Sequence, residues 1–163
     1  FGMLVLDTQL EGLECFHIRD YIWSMHSKQD VRACRHCIFS LHAHLVFVAK
    51  YRRGVFRQAH MAALERILRS VCEDFDTTLV EFNGEADHVH LLVNYPPKVA
   101  LSNLVNSLKG VSSRMMRKEF GDFHPWLKRR GVLWSPSYFA ASCGDAPISI
   151  LRQYIQQQQA VPA

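Results

Sequence analysis

At 163 residues, 48% hydrophobic and 21% charged, the chain has the size and balance of one globular domain with a real core, which sets it apart from low-complexity and fibrous chains. Its net charge of +4 is uneven: residues 1–30 hold five acidic against two basic groups, and the remainder holds 17 basic against 10 acidic. A basic remainder is consistent with a polyanionic partner, though charge alone points there only weakly.

No apolar run reaches a membrane span, and Met3-Leu4-Val5-Leu6 is too short and lacks the basic flank of a secretory signal. Five scattered cysteines, an odd number, suggest a reduced, cytoplasmic protein. Cys34-Arg35-His36-Cys37 has the spacing of half a zinc site, but no second pair follows, so unpaired thiols near a strand start are expected.

Residues 1–30 show no sustained period and read as an N-terminal extension of unknown role, ahead of one domain over 31–163. From Ile38 to Val48 the chain is strand-like, and His42 and His44 would share one face of that strand. It ends in Lys50-Tyr51-Arg52-Arg53-Gly54, an aromatic inside a basic cluster. This is either a solvated turn or a place where phosphates are held while a base stacks on Tyr51. Residues 60–75 predict a helix with one apolar stripe of Leu64, Ile67, Leu68, Val71, Cys72 and Phe75. Residues 77–82 read as a strand, Asn83-Gly84 as a tight turn, and the strand Asp87-His88-Val89-His90-Leu91-Leu92-Val93 follows at once.

A second helix is expected over 101–120, with Gly110 weakening it locally. Lys109, Arg114, Arg117 and Lys118 lie largely off its apolar stripe, as a solvated face or as phosphate contacts. The following loop carries Lys128-Arg129-Arg130. Val132-Leu133-Trp134 and Ser137-Tyr138-Phe139-Ala140 suggest a strand that Pro136 makes an edge strand or a bulged one. Asp145 and Pro147 open a last helix. This order is the split βαβ pattern of an α+β, ferredoxin-like (RRM-like) fold: an antiparallel sheet, two helices on one face, and here a further C-terminal helix. The strand bearing His88 and His90 can then be central, with its histidines on the open face.

Side chains two apart on a strand have Cβ atoms about 7 Å apart on one face, so the imidazoles of His88 and His90 can reach one metal ion. The same pattern also fits two polar residues on a solvated face. Tyr154 and Gln158, four apart, share a helical face. A phenol of pKa about 10 is a poor nucleophile, and a metal can stabilise its phenolate while polarising a phosphate. The Gln158 oxygen and two imidazoles make a neutral ligand set. That suits Mg²⁺ or Mn²⁺ with open water positions better than a closed zinc site.

Five stretches together resemble the single-tyrosine HUH transposases of bacterial and archaeal insertion sequences (TnpA, the IS200-like group). They are LVFVAKYRR (45–53), DHVHLLV (87–93), LSNLVNSLKGVSSR (101–114), LWSPSYFAAS (133–142) and QYIQQQ (153–158). The resemblance implies a ferredoxin-like fold, an obligate homodimer, and Mg²⁺ or Mn²⁺ held by His88, His90 and Gln158. It implies Tyr154 as the nucleophile, forming a 5′-phosphotyrosine, and a single-stranded DNA substrate with hairpins near the element's ends. Glu85, three residues before His88, is a candidate for ordering a metal-bound water and reads equally as a carboxylate of the hairpin loop. Lys50, Tyr51, Arg52, Arg53, Lys109, Arg114, Lys128, Arg129 and Arg130 are the candidate DNA contacts. His42 and His44 fall outside the motif and read as strand-face residues. Three rival readings are a domesticated relative acting on host palindromic repeats, a non-catalytic single-stranded nucleic-acid-binding module that would not need Tyr154, and a replication-initiator or relaxase nuclease, which also pairs His-x-His with tyrosine.

Overall fold

The structure, a computed structural model, describes residues 31–121, 132–143 and 153. The chain divides into two units, residues 1–40 and 41–163. In the first, β1 (Arg32–Ala33) and β2 (Ile38–Phe39) pair antiparallel, Arg32 with Phe39 and Ala33 with Ile38. That register sets positions 34 and 37 face to face. Cys34 and Cys37 are joined in a disulfide, and the Cys34 amide donates to the Cys37 carbonyl at 2.7 Å. Unpaired thiols were the expectation here; the hairpin turn is what brings the two together. The strand expected from 38 to 48 is likewise interrupted at Ser40-Leu41.

The second unit runs β3 (His42–Val48), a 3₁₀ turn (Lys50–Arg52), α1 (Gln58–Asp74), β4 (Thr78–Gly84), β5 (His88–Asn94), α2 (Leu101–Glu119) and β6 (Phe139–Ser142). The sheet order is β4-β5-β3-β6, with every neighbouring pair antiparallel. This is the ferredoxin-like arrangement, with β5 inside the sheet and β6 at its edge. Of the expected last helix only Gln153 is described, helical and exposed. Tyr154, Gln158, Lys128, Arg129, Arg130 and residues 1–30 lie outside the described residues.

Strand alternation decides which face is buried. Ala43, Leu45 and Phe47 of β3 and Val89, Leu91 and Val93 of β5 join Leu64 and Leu68 of α1 and Leu104 and Leu108 of α2 in one core. Each large apolar side chain among them contributes about 1.5–3 kcal/mol on burial. The intervening positions, which include all four strand histidines, occupy the other face.

One local feature differs from expectation, and the edge strand expected around Pro136 takes a particular form. β4 continues through Asn83 and Gly84, and the turn falls at residues 85–87, closed by the Glu85 amide on the His88 carbonyl at 2.9 Å. Gly84 serves close approach instead: a Cβ there would stand 2.6 Å from the His88 carbonyl oxygen. Beyond α2, Pro136 separates an isolated Ala49–Trp134 bridge from β6. The intervening segment is fastened to polar groups of α2. Trp134 donates its Nε1–H to Ser112 Oγ at 2.9 Å, and the Lys109 ammonium donates to the carbonyls of Ser135, Pro136 and Ser137 at 2.6, 2.9 and 3.3 Å. Among the described residues no helix is long and apolar enough to cross a membrane.

Candidate active site

β5 presents His88 and His90 on the sheet face away from the helices. The antiparallel register sets Val48 opposite His88, Val46 opposite His90, His44 opposite Leu92 and His42 opposite Asn94. Both expected pairs of histidines therefore share one face. The rings of His88 and His90 stand 5.0 Å apart between centroids, nearly perpendicular at 77°.

Each of these two imidazoles is held through Nδ1. For His88 the partner is the Asp87 carboxylate, with Nδ1 2.6 Å from Oδ1. For His90 the partner is Nε2 of His44 at 3.0 Å. The Nε2 atom of His90 is buried and has no hydrogen-bond partner among the described residues. A buried polar atom left in that condition costs stability unless a ligand takes it. Burial, then the neighbouring His44 and His88, push the His90 imidazole down to about 4. Burial also lowers His44. Both rings are thus neutral at pH 7, the form in which imidazole donates a lone pair to a metal. The ligand chemistry of His90, a neutral ring whose Nε2 has no partner among the described residues, fits a divalent cation.

The first loop of the second unit meets the same end of the sheet. The amide of Ala49 donates to the Asp87 carbonyl at 2.7 Å, and Arg52 Nε–H donates to Asp87 Oδ2 at 3.2 Å. Burial alone would raise the Asp87 carboxyl, but hydrogen bonds from His88 and Arg52 outweigh it and hold it below the usual range. The turn carrying Arg52 is strained: Tyr51 and Arg52 take φ of 64° and 50°, the left-handed region that non-glycine residues rarely occupy. Tyr51 is 61% exposed, with the Lys50 ammonium 5.4 Å from its ring centre. The structure therefore ties Arg52 to the Asp87 carboxylate that holds His88, with Lys50 and Tyr51 in the same turn. Glu85, exposed on the β4–β5 turn, has its carboxylate within 4.8 Å of ligand atoms of Asp87 and His88. Arg114 is exposed on α2, in the helical layer behind the sheet. Lys109 is engaged by the three carbonyls already described.

The family model described as "Transposase IS200 like" matches residues 37–158, a span that contains the histidine strand, Tyr154 and Gln158. The chain belongs to the IS200-like transposase family. Membership in this family makes it a DNA-cleaving and strand-transferring enzyme. The IS200 transposase of Salmonella typhimurium is 33% identical over 129 residues, covering 79% of this chain and 84% of that protein. The ISDra2 transposase TnpA of Deinococcus radiodurans is 30% identical over 132 residues, covering 79% and 91%. A solved Deinococcus radiodurans structure assigned as a transposase superposes with a TM-score of 0.64 at 30% identity, over 80% of this chain and 99% of that one. A REP-associated tyrosine transposase bound to a REP hairpin shares the fold, with a TM-score of 0.53 at 12% identity over 76% and 67%.

For an IS200-like transposase the unexpected residue is His44. The sequence places it on the same face of its own strand as His42, but not beside His90. Its spacing carried the only available signal. Two neighbouring antiparallel strands, each with histidines two apart on the solvent side, have a chance of bringing them together; the register that does so is a tertiary quantity.

Proposed function

We propose that this transposase cleaves and rejoins single-stranded DNA at insertion-sequence ends through a 5′-phosphotyrosine on Tyr154. In this reading it works as a homodimer and recognises subterminal hairpins. The observation that carries it is the pair of strand histidines on one sheet face, each held at Nδ1, with the buried Nε2 of His90 left without a partner among the described residues. His88, His90 and Gln158 would hold Mg²⁺ or Mn²⁺, which when bound polarises the scissile phosphate and favours the phenolate. Glu85 would order a water at that site.

The Tyr154 oxygen attacks phosphorus after its proton passes to solvent. A P–O bond to tyrosine forms, the P–O3′ bond breaks, and the leaving oxygen takes a proton to become a free 3′-hydroxyl. No hydrolytic base is needed, and the retained phosphodiester energy lets another 3′-hydroxyl reverse the step. Lys50, Arg52 and Arg53 would hold phosphates near this centre while Tyr51 stacks a base. The Lys128-Arg129-Arg130 run would extend the phosphate path, and Arg114, in the helical layer, would meet only DNA that passes behind the sheet. The ferredoxin-like scaffold is compatible with hairpin DNA, since the REP-associated relative carries one.

The test is a single-stranded hairpin oligonucleotide with Mg²⁺, read on a denaturing gel. Wild-type protein should give a denaturation-resistant adduct. Tyr154→Phe should bind the hairpin and give none, and His88→Ala and His90→Ala should lose metal-dependent cleavage. An adduct of normal yield from Tyr154→Phe would overturn the assignment.

A further inference from the structure

We propose that His44 is a positioning residue for the metal centre: it accepts a hydrogen bond from His90 Nδ1–H and so fixes the ring form that offers Nε2 to a divalent cation. This rests on the reading that His90 is a metal ligand.

The number of protons decides which ring donates. A neutral imidazole has one N–H donor and one bare acceptor nitrogen. The contact between His44 Nε2 and His90 Nδ1, at 3.0 Å, needs one proton, which either ring can supply. If His44 donates, His90 carries its own proton on Nε2, the buried atom with no partner. The site then holds an unsatisfied N–H and cannot ligate a cation there. If His90 donates, its buried Nε2 carries a bare lone pair, and a cation satisfies it. Only the second arrangement agrees with His90 as a ligand, and it makes His44 the acceptor. Metal-ligating histidines commonly need such a partner on the other nitrogen.

The surroundings hold His44 to this task. Its ring lies nearly parallel to that of His90, at 14° with centroids 5.2 Å apart, and Phe139 of β6 packs edge-on against it at 6.1 Å. The two ligands thus have different partners, a carboxylate for His88 and a neutral imidazole for His90. His42, two residues earlier on the same face, is engaged by the Asn94 amide at 2.9 Å instead. It is therefore an internal comparison for a strand-face histidine without this role.

The experiment measures Mn²⁺ binding to the full chain by the electron paramagnetic resonance of free Mn²⁺, without DNA. His44→Phe keeps a ring but removes the acceptor, and should weaken binding by about 10–100-fold. His44→Gln returns an acceptor oxygen near the former Nε2 position and should recover most of that loss. His42→Gln should bind as wild type. Nitrogen-15 imidazole spectra of the metal-free wild type should show the His90 proton on Nδ1, a readout that survives if a variant fails to fold. Wild-type Mn²⁺ affinity in His44→Phe, or a His90 proton found on Nε2, would overturn the proposal. His90→Ala separates the two levels. If it weakens Mn²⁺ binding while His44→Phe does not, the positioning role alone fails; if it leaves binding unchanged, the metal reading fails with it.

Discussion

The proposed site rests on two imidazoles whose Nδ1 atoms are engaged by the protein, and on His90 Nε2, which has no partner among the described residues. For His88 the engaged side is a chain of three groups, Arg52 to Asp87 to His88. Removing the middle member frees the ring to rotate and take its other tautomer. Asp87→Ala is expected to cost about 10–100-fold in Mn²⁺ affinity. Arg52→Ala should cost much less, because its side chain is 77% exposed and such pairs are screened by solvent. Calorimetric titration of both variants checks the order; equal losses would place the control elsewhere. Acid should act on the metal-free fold through His90. The native ring resists protonation down to about 4, whereas the unfolded one, near 6.5, accepts a proton. The unfolded state therefore binds more protons between these values, so stability is fully present above 6.5 and falls as pH is lowered toward 4. Denaturant melts at both ends of that window should show a larger acid loss for wild type than for His90→Asn.

The elements differ in how plainly the sequence declares them. α1 and α2 were legible because an apolar period of 3.6 residues, kept over many turns, buries one continuous side only in a helix. β5 was legible as a central strand because Val89, Leu91, Leu92 and Val93 leave little room for a solvated face. The β4–β5 turn was misplaced by two residues because glycine after asparagine is a turn signal, whereas Gly84 answers a close approach that appears only when β5 folds back. Lys109 had the helical position of a solvated or phosphate-binding residue, and the segment it clamps is more than twenty residues further on. Its ammonium donates to three carbonyls. Lys109→Met should lose about 1–3 kcal/mol of stability, as for hydrogen bonds from a charged group. It should leave unchanged the slope of DNA affinity against salt, which Lys50→Ala should reduce by about one phosphate contact. Gly110 and Gly84 should respond oppositely to alanine. At Gly110 a Cβ would meet nothing within 4 Å, so alanine should stabilise the helix by about 0.5–1 kcal/mol. At Gly84 the carbonyl of His88 stands in the way, so alanine should cost about 1–3 kcal/mol and disturb His88 as well.

In the whole molecule, the sheet divides its two faces between a core and the face that carries the histidines. The chain leaves β6 through Ser142 and Cys143 toward Gly144, ahead of the segment bearing Tyr154 and Gln158. In the proposed homodimer a glycine there can absorb a large backbone rotation and let that segment serve the partner subunit's histidines. Tyr154→Phe and His88→Ala subunits, each inactive alone, should then complement when mixed. Free assortment makes half the dimers mixed with one working site each, so about a quarter of wild-type sites should form adduct. No adduct after confirmed exchange would favour a tyrosine served by its own subunit. The central claim is that Tyr154 is the residue that becomes joined to DNA. The most direct measurement is proteolysis of the covalent complex formed with a single-stranded hairpin and Mg²⁺, followed by mass spectrometry of the nucleotide-bearing peptide. One modified peptide is expected, carrying a 5′-phosphate on Tyr154. A phosphodiester on Tyr51 or Tyr138, or cleavage with no protein-linked nucleotide, would contradict it.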